Sequence, residues 1–279
     1  MANTGVSDVA VTIQKIVSAL TTKTLIQNSV ALAMNGVWDR SSEIGPGMDR
    51  LDMIELAELS AQAVNETGAA LTPSTIVPAA AQLDLDQHIG IFFALTDRGE
   101  LQSKIALASR TIENGVRTLA ANVDNYIFSQ GVAAAKTVET VAAADALGDL
   151  LNLKVQFDAD NVPREGRAIA ASPIFMKSLL GASSVVRANE FGSSDPVRMG
   201  RVASVFGIDI FESNSASIPN DGFVALGLEA VAFARQMAVQ FKEQYQVLNA
   251  KTDYSLKHLY GAESTKTTLN PRIYVFNPA

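Results

Sequence analysis

Eight apolar residues between Leu101 and Ile127 recur at three- and four-residue intervals: Leu101, Ile105, Ala108, Ile112, Val116, Leu119, Val123 and Ile127. That is the period of one helical face, and it predicts a single helix over 97–130. Asp97 is placed to cap it, with Glu100 three residues on as in a capping box. Gly131 follows where a left-handed terminal residue is wanted. A helix of about 30 residues spans roughly 45–50 Å, against a mean globular helix of about 11–12 residues. A chain built on such a rod has to lay other elements along its apolar side.

The flanking segments read as a mixed chain. Residues 1–35 form an arm, with Ile13, Ile16, Val17 and Leu20 at helical spacing and a second apolar patch from Val30 to Met34. Residues 36–50, punctuated by Gly36 and Gly45-Pro46-Gly47, read as loop. Residues 51–64 admit two readings: Leu51, Ile54, Ala57 and Ala61 make a helical stripe, yet GPG before and NETG after bound the segment like a hairpin strand. Residues 82–95 alternate and then turn continuously apolar, as a strand entering a core does. A second helix is expected over 143–157, with Leu147, Leu150, Leu151 and Val155. In NVPREGRAIAAS, the Pro and Gly make a turn that feeds a short apolar strand, Ala168 to Ala171. Ser172-Pro173 then reads as N-cap and first position of a helix closed by Gly181. Residues 183–201 are polar, rich in Gly and Ser, and carry Arg187, Arg198 and Arg201; a loop is expected. Strands follow at 207–212 and 223–226, a short helix at 228–235, and strands at 237–241, 254–260 and 272–276. The fold class is α+β.

The 279 residues are 48% apolar, enough for a packed core. Cysteine is absent, which removes disulfides, thiolate metal sites and thiol nucleophiles. The apolar runs are too short and too interrupted to cross a bilayer, and the N-terminus lacks the pattern of a signal peptide. Charge is unevenly placed. Between 48 and 96, Arg50 stands alone against Asp49, Asp52, Glu55, Glu58, Glu66, Asp84 and Asp86, which leaves −6 of the chain's −7. Such a segment is either a solvated acidic face or an arm that docks on a basic surface.

Catalytic patterns are weak. His88 and His258 sit on candidate strands, and with Asp84 or Asp86 they offer metal ligands, but nothing in their spacing demands an ion. Asp84 and Asp86 fall on the same side of a strand, where a solvated face outweighs paired acid–base work. No phosphate-binding glycine loop or nucleophile elbow is present. Arg164-Glu165-Gly166-Arg167 has no nucleophile or base beside it, so a charged turn or subunit contact is the better reading. Trp38 and Phe191 lie in loop-like contexts, as contact residues or a satellite core.

Several phrases in order resemble one family. They are LTPSTIVPAAAQLDLDQHIGIFFALTD running into ELQSKIALASRTIENGVRTLAANVDNYIF, then VPREGRAIAASPIFMKSLL, GRVASVFGIDIFESN and YSLKHLYGAESTKTTLNPRIYVF. The chain resembles the major capsid proteins of tailed bacteriophages, with the Hong Kong 97-like fold, and the specificity lies in the order of the phrases over nearly the whole length. The resemblance implies an N-terminal arm at 1–35 and an extended loop at 48–96 lying over a neighbouring subunit. It implies a peripheral domain from 97–136 and 237–279, with the long helix as its spine, and an axial domain at 137–236. On this analogy 51–64 is strand.

By the same resemblance the protein is not an enzyme and needs no cofactor or metal. It would assemble with itself into hexamers and pentamers of an icosahedral shell around double-stranded DNA, without sequence-specific binding and without a membrane. It would form in the bacterial host cytoplasm and reside in the virion. A portal protein and a possible cement protein would be further partners. Only residues 1–35 precede the loop region, so scaffolding is expected from a separate protein. Candidate interface residues are Glu55 and Glu58 in the loop, Arg110 and Arg117 on the spine, and Arg164, Glu165, Arg167 and Arg201 in the axial domain. Lys242 and Lys257 are further basic candidates. Some relatives join subunits through a loop lysine that attacks an asparagine, but no lysine occurs here between Lys23 and Lys104. An encapsulin shell of the same fold is the alternative, and an α+β enzyme using the Asp84/His88 region a more distant one.

Overall fold

A computed structural model describes residues 15, 17–25, 28–45, 47–55, 79–102, 107–138, 145–181, 204–266 and 270–277. The rod is present as two described stretches, α2 (Asp97–Gln102) and α3 (Leu107–Ala133). Its start and end differ in detail from expectation. Thr96, not Asp97, caps α2, because its hydroxyl accepts the Gly99 N–H at 3.2 Å. Asp97 is the first helical residue, and its carboxylate accepts from the Tyr245 hydroxyl at 2.7 Å. Gly131 does not end α3. It lies within the helix, buried against Leu226, Val231 and Ile273.

One side of α3 rests on a four-stranded sheet in the order β1-β10-β11-β4. The strands are β1 (Val37–Asp39), β4 (Gln87–Thr96), β10 (Val231–Gln246) and β11 (Lys251–Ser264). Only β1 runs parallel to its neighbour. The N-terminal half of α3 sets Val116, Leu119 and Ala120 against Val239, Phe241, Tyr254 and Leu256. The approach is close here: a Cβ at Gly115 would stand 2.8 Å from the end of the Leu256 side chain, which would have to move aside.

The helix expected at 228–235 is instead the start of β10. Residues 230–234 are all buried. Val231 and Phe233 point toward α3, and Ala232 and Ala234 point to the opposite side. A run buried on both faces carries no period that separates strand from helix. The loop expected at 36–50 likewise contains β1, paired to a strand almost two hundred residues away. The strand expected at 82–95 breaks at Leu85-Asp86 into two strands of different sheets. The first is β3 (Ala79–Asp84), which pairs antiparallel with β2 (Arg50–Glu55); the second is β4. Residues 50–55 are strand as the resemblance implied, and 56–64 lie outside the described residues.

A six-stranded sheet, β5-β12-β9-β6-β8-β7, forms the second layer. Its strands are β5 (Ala135–Thr137), β6 (Ala168–Ala171), β7 (Ser204–Val205), β8 (Ile208–Glu212), β9 (Phe223–Leu226) and β12 (Asn270–Phe276). Two helices, α4 (Ala146–Ala159) and α5 (Pro173–Gly181), cover one face. Asp145 caps α4 by accepting from Gly148 N–H at 2.9 Å, and the Ser172 hydroxyl caps α5 by accepting from Phe175 N–H at 3.1 Å. The other face carries Ala168, Ala170, Val224, Leu226 and Ile273 against Val123, Ile127 and Phe128 of α3. Pairing therefore places β5 and β12 in the sheet of residues 168–226. The loop expected at 183–201 lies outside the described residues.

His258 lies on the α3 side of β11, buried, and its Nδ1 has no hydrogen-bond partner. Burial, reinforced by Arg235, pushes its pKa down to about 4. Below its unfolded value near 6.5, the unfolded chain takes up a proton that the fold refuses until about pH 4. Stability from this group is thus full above about 6.5 and lost as pH falls toward 4, by up to about 3 kcal/mol. Asp149 opposes it. Burial, with Asp145 and Asp221 nearby, raises its carboxyl to about 6, so stability is gained as pH falls through that value. Denaturant titrations at pH 7 and pH 4.5 should show a smaller acid loss in His258→Asn and a larger one in Asp149→Asn, each relative to the parent. Equal acid losses in all three would overturn this assignment.

Candidate subunit-contact surfaces

The acidic excursion begins as a hairpin whose two faces differ. On one face of β2 and β3, Leu51, Met53, Ala81 and Leu83 are buried against Ala232 and Ala234 of β10. The base of the excursion therefore has a core within the subunit. It also sits directly on β11: a Cβ at Gly261 would lie 2.0 Å from the Asp84 carbonyl oxygen, so only glycine permits the contact. The other face is exposed and carries Asp52, Ile54 and Asp84. Asp84 accepts from Arg50 Nε at 2.7 Å, and Asp86 accepts from the Tyr126 hydroxyl at 3.0 Å. Both carboxylates are thereby occupied in structural contacts.

Basic groups lie elsewhere on the surface. Arg110 and Arg117 are exposed on α3, and Arg117 borders a polar hollow with Asp124 and Glu212. On the outer side of the four-stranded sheet, Lys242, Lys257 and Phe92 line an open groove. The Lys257 ammonium lies 5.5 Å from the centre of the Phe92 ring, which is two-thirds exposed. Trp38, half-exposed on β1, carries the Arg40 guanidinium 4.4 Å over its ring. Glu55 ends β2 opposite Ala79. Glu58 and Arg201 lie outside the described residues.

The turn at 163–167 divides its charges. Arg164 and Glu165 are exposed, and Gly166 has the left-handed φ of +74° that the turn requires. Arg167, by contrast, is only 4% exposed. Its guanidinium bonds Asp158 at 2.8 Å, donates to the carbonyls of Val162 and Pro163, and stacks over Phe157. That bond holds the Asp158 carboxyl below the usual carboxylate range. Arg167 thus ties the turn to α4 inside the subunit.

Asp124 was not singled out in the sequence. It is 6% exposed on α3 and accepts from the Ser29 hydroxyl and from Val30 and Ala31 N–H at 2.9 and 3.0 Å. One carboxylate therefore fastens the end of the arm to the rod. Burial pushes its carboxyl up, against these donors. The available signal was a carboxylate beside Val123 on an otherwise apolar stripe.

None of this resembles a catalytic cleft. Among the described residues, no three or more His, Cys, Asp or Glu side chains are grouped to hold a metal ion, and no helix is long and apolar enough to cross a membrane. No protein-family model and no curated protein matches the chain. Solved structures do. One from Mycobacterium phage Che8 aligns over 87% of this chain and 89% of its own, at a TM-score of 0.74 and 21% identity. The capsid structure of cyanophage P-SCSP1u covers 88% and 86% at a TM-score of 0.68 and 18% identity. The mature capsid of bacteriophage PhiM1 covers 87% and 85% at a TM-score of 0.62 and 13% identity.

The chain has a phage capsid fold. In this capsid fold the two sheets, the rod and the acidic hairpin form one continuous body. Asp124 joins arm to rod by hydrogen bonds, beside the apolar packing of Leu25, Ala31 and Met34 on α3. Asp124→Ala leaves the buried Ala31 N–H, the half-buried Val30 N–H and the Ser29 hydroxyl without their acceptor and should cost about 2–4 kcal/mol. Limited proteolysis should then cut the arm faster, and Asp124→Asn should lie between the two. Unchanged stability and cleavage in the alanine variant would contradict the anchor.

Proposed function

We propose that this protein is the major capsid protein of a tailed bacteriophage of Hong Kong 97 type, assembling into hexamers and pentamers of an icosahedral shell around double-stranded DNA. The observation that carries the reading is the alignment to a capsid structure over most of both chains, 88% and 86%. The long acidic excursion supports it, since a hairpin with one face left exposed gains by lying on a second copy. On this reading the four-stranded sheet and α3 form the peripheral domain. The six-stranded sheet with α4 and α5 forms the axial domain, including β5 and β12. A separate scaffolding protein, a portal and a possible cement protein are the expected partners, and assembly takes place in the host cytoplasm.

The excursion is assigned a docking role. Glu55 and Glu58 of one copy meet basic groups of a neighbour, with Arg110, Arg117, Lys242 and Lys257 as the candidates. Arg164 and Glu165 are placed at axial contacts. Exposed pairs contribute roughly 0–1 kcal/mol each, so several act together, and the large repeated interface supplies the rest through apolar burial.

Electron microscopy of the expressed protein, alone and with a scaffold, tests the reading: closed shells are expected, and a chain that stays monomeric across pH and salt in sedimentation would overturn it. Glu55→Lys with Glu58→Lys should weaken assembly and change its salt dependence; an unchanged ionic-strength series would remove the docking role. The excursion has no lysine and the chain no cysteine. Mature particles boiled in detergent should therefore run as one monomer band, and a covalent ladder would refute non-covalent locking.

A further inference from the structure

Two apolar features toward opposite ends of the six-stranded sheet are left exposed among the described residues. At one edge, β7 and β8 are joined by Phe206 and Gly207, with Val205 paired to Ile208. Both joining residues have left-handed backbone, φ 55° and 79°. This is the geometry of a two-residue hairpin turn that favours Asn-Gly. A bulky aromatic residue is strained there, because its Cβ crowds the backbone. Phe206 nonetheless holds the position and leaves 43% of its surface exposed. Strain retained for an exposed aromatic is a mark of contact. Asp209, three residues later, is exposed at the same edge, with no ion-pair partner among the described residues.

At the other edge, α4 lies over β12, with the Phe157 ring 5.1 Å from that of Tyr274, and Lys136 of β5 bonds Asp160 at 2.6 Å. The inward side of α4 carries Leu150, Leu153 and Phe157. Its outward side carries Leu151 and Val155, one turn apart and 46% and 60% exposed. Lys154 stands between them and reaches Asp158 only at 3.8 Å.

The strand order puts these features at opposite ends of the sheet. α4 lies over β12, four strand spacings from β7, which at about 4.8 Å each is roughly 19 Å, so Phe206 cannot reach α4 of its own chain. A knob and its receptor on opposite sides of one body make a heterologous contact. When the rotation closes, that contact repeats into a ring.

We infer that Phe206 of one copy docks between Leu151 and Val155 of the next, with Asp209 facing Lys154 across the contact. The inference rests on the shell reading and names one contact within its rings.

The absence of cysteine makes the test direct. Phe206→Cys with Val155→Cys, assembled into particles and oxidised, should give a ladder of linked subunits on a denaturing gel without reductant, rising beyond dimer. Neither single variant should. Particles of the double variant that run as monomer would overturn the contact, as would dimers from Phe206→Cys alone, which indicate a two-fold arrangement. Should the cysteine pair prevent assembly, Lys154→Glu and Asp209→Lys replace it. Each alone should lower particle yield several-fold and the two together restore it; equal yields in all four proteins would refute the pairing. Parent particles without a ladder or charge rescue remove only this contact, whereas a parent chain that forms no particles removes the shell reading and this contact with it.

Discussion

The joint on which the molecule depends is the burial of Val123, Ile127 and Phe128 between two sheets. The first half of α3 packs on the four-stranded sheet and on Leu25 of the arm, and these three side chains also meet Ala168, Val224, Leu226 and Ile273 of the other sheet. Small residues on the six-stranded side let the helix come close, and large ones on the helix fill the space. Fully burying a large apolar side chain contributes about 1.5–3 kcal/mol, and interiors packed this densely transmit displacement. The two sheets therefore move as one body about the C-terminal half of the rod. Direct continuity from β9 through Ala230 into β10 reinforces the joint.

Polar contacts then fix the peripheral pieces to that body. Asp124 holds the arm by three donors, Ser18 caps the Phe241 N–H on the open side of β10, and the close approach of Gly261 to Asp84 seats the hairpin. Each spends a buried or half-buried polar group on position, not on chemistry. The perturbed groups, His258 and Asp149, are perturbed by burial. Neither lines a cleft with a nucleophile, so their shifts bear on stability.

Much of this was legible where local chemistry decides structure. The 3.6-residue stripe of α3, the Ser172-Pro173 start and the four residues of β9 follow from signals within a turn or two. Apart from the one-residue shift of the α2 cap from Asp97 to Thr96, the misreadings share a cause, which is partners distant in sequence. Residues 230–234 looked helical because both sides of the strand are covered, a fact only the second sheet reveals. β1 has three residues, and its partner lies far along the chain. The break at Leu85-Asp86 arises because β3 and β4 join different neighbours. Among candidate interface residues, exposure separates Arg110, Arg117, Arg164 and Glu165 from Arg167, and no spacing rule encodes that. Asp124 and Phe206 were visible as letters, but their meaning needed the partner groups and the backbone angle.

The position of β12 has a consequence for synthesis. It is the last strand in chain order, yet it lies inside its sheet, between β5 and β9, and forms the floor under α4 through Tyr274. Nascent chains emerge from the N-terminus at about 5–20 residues per second. The arm, rod and hairpin are thus exposed well before the strand that completes the second sheet. Until residues 270–276 arrive, β9 and β5 each lack a neighbour, and α4 lacks the part of its floor that Tyr274 and Phe276 supply. A truncated or stalled chain would lack a firm platform for the outer face of α4, so completion of the chain and competence to associate are coupled through a single inserted strand.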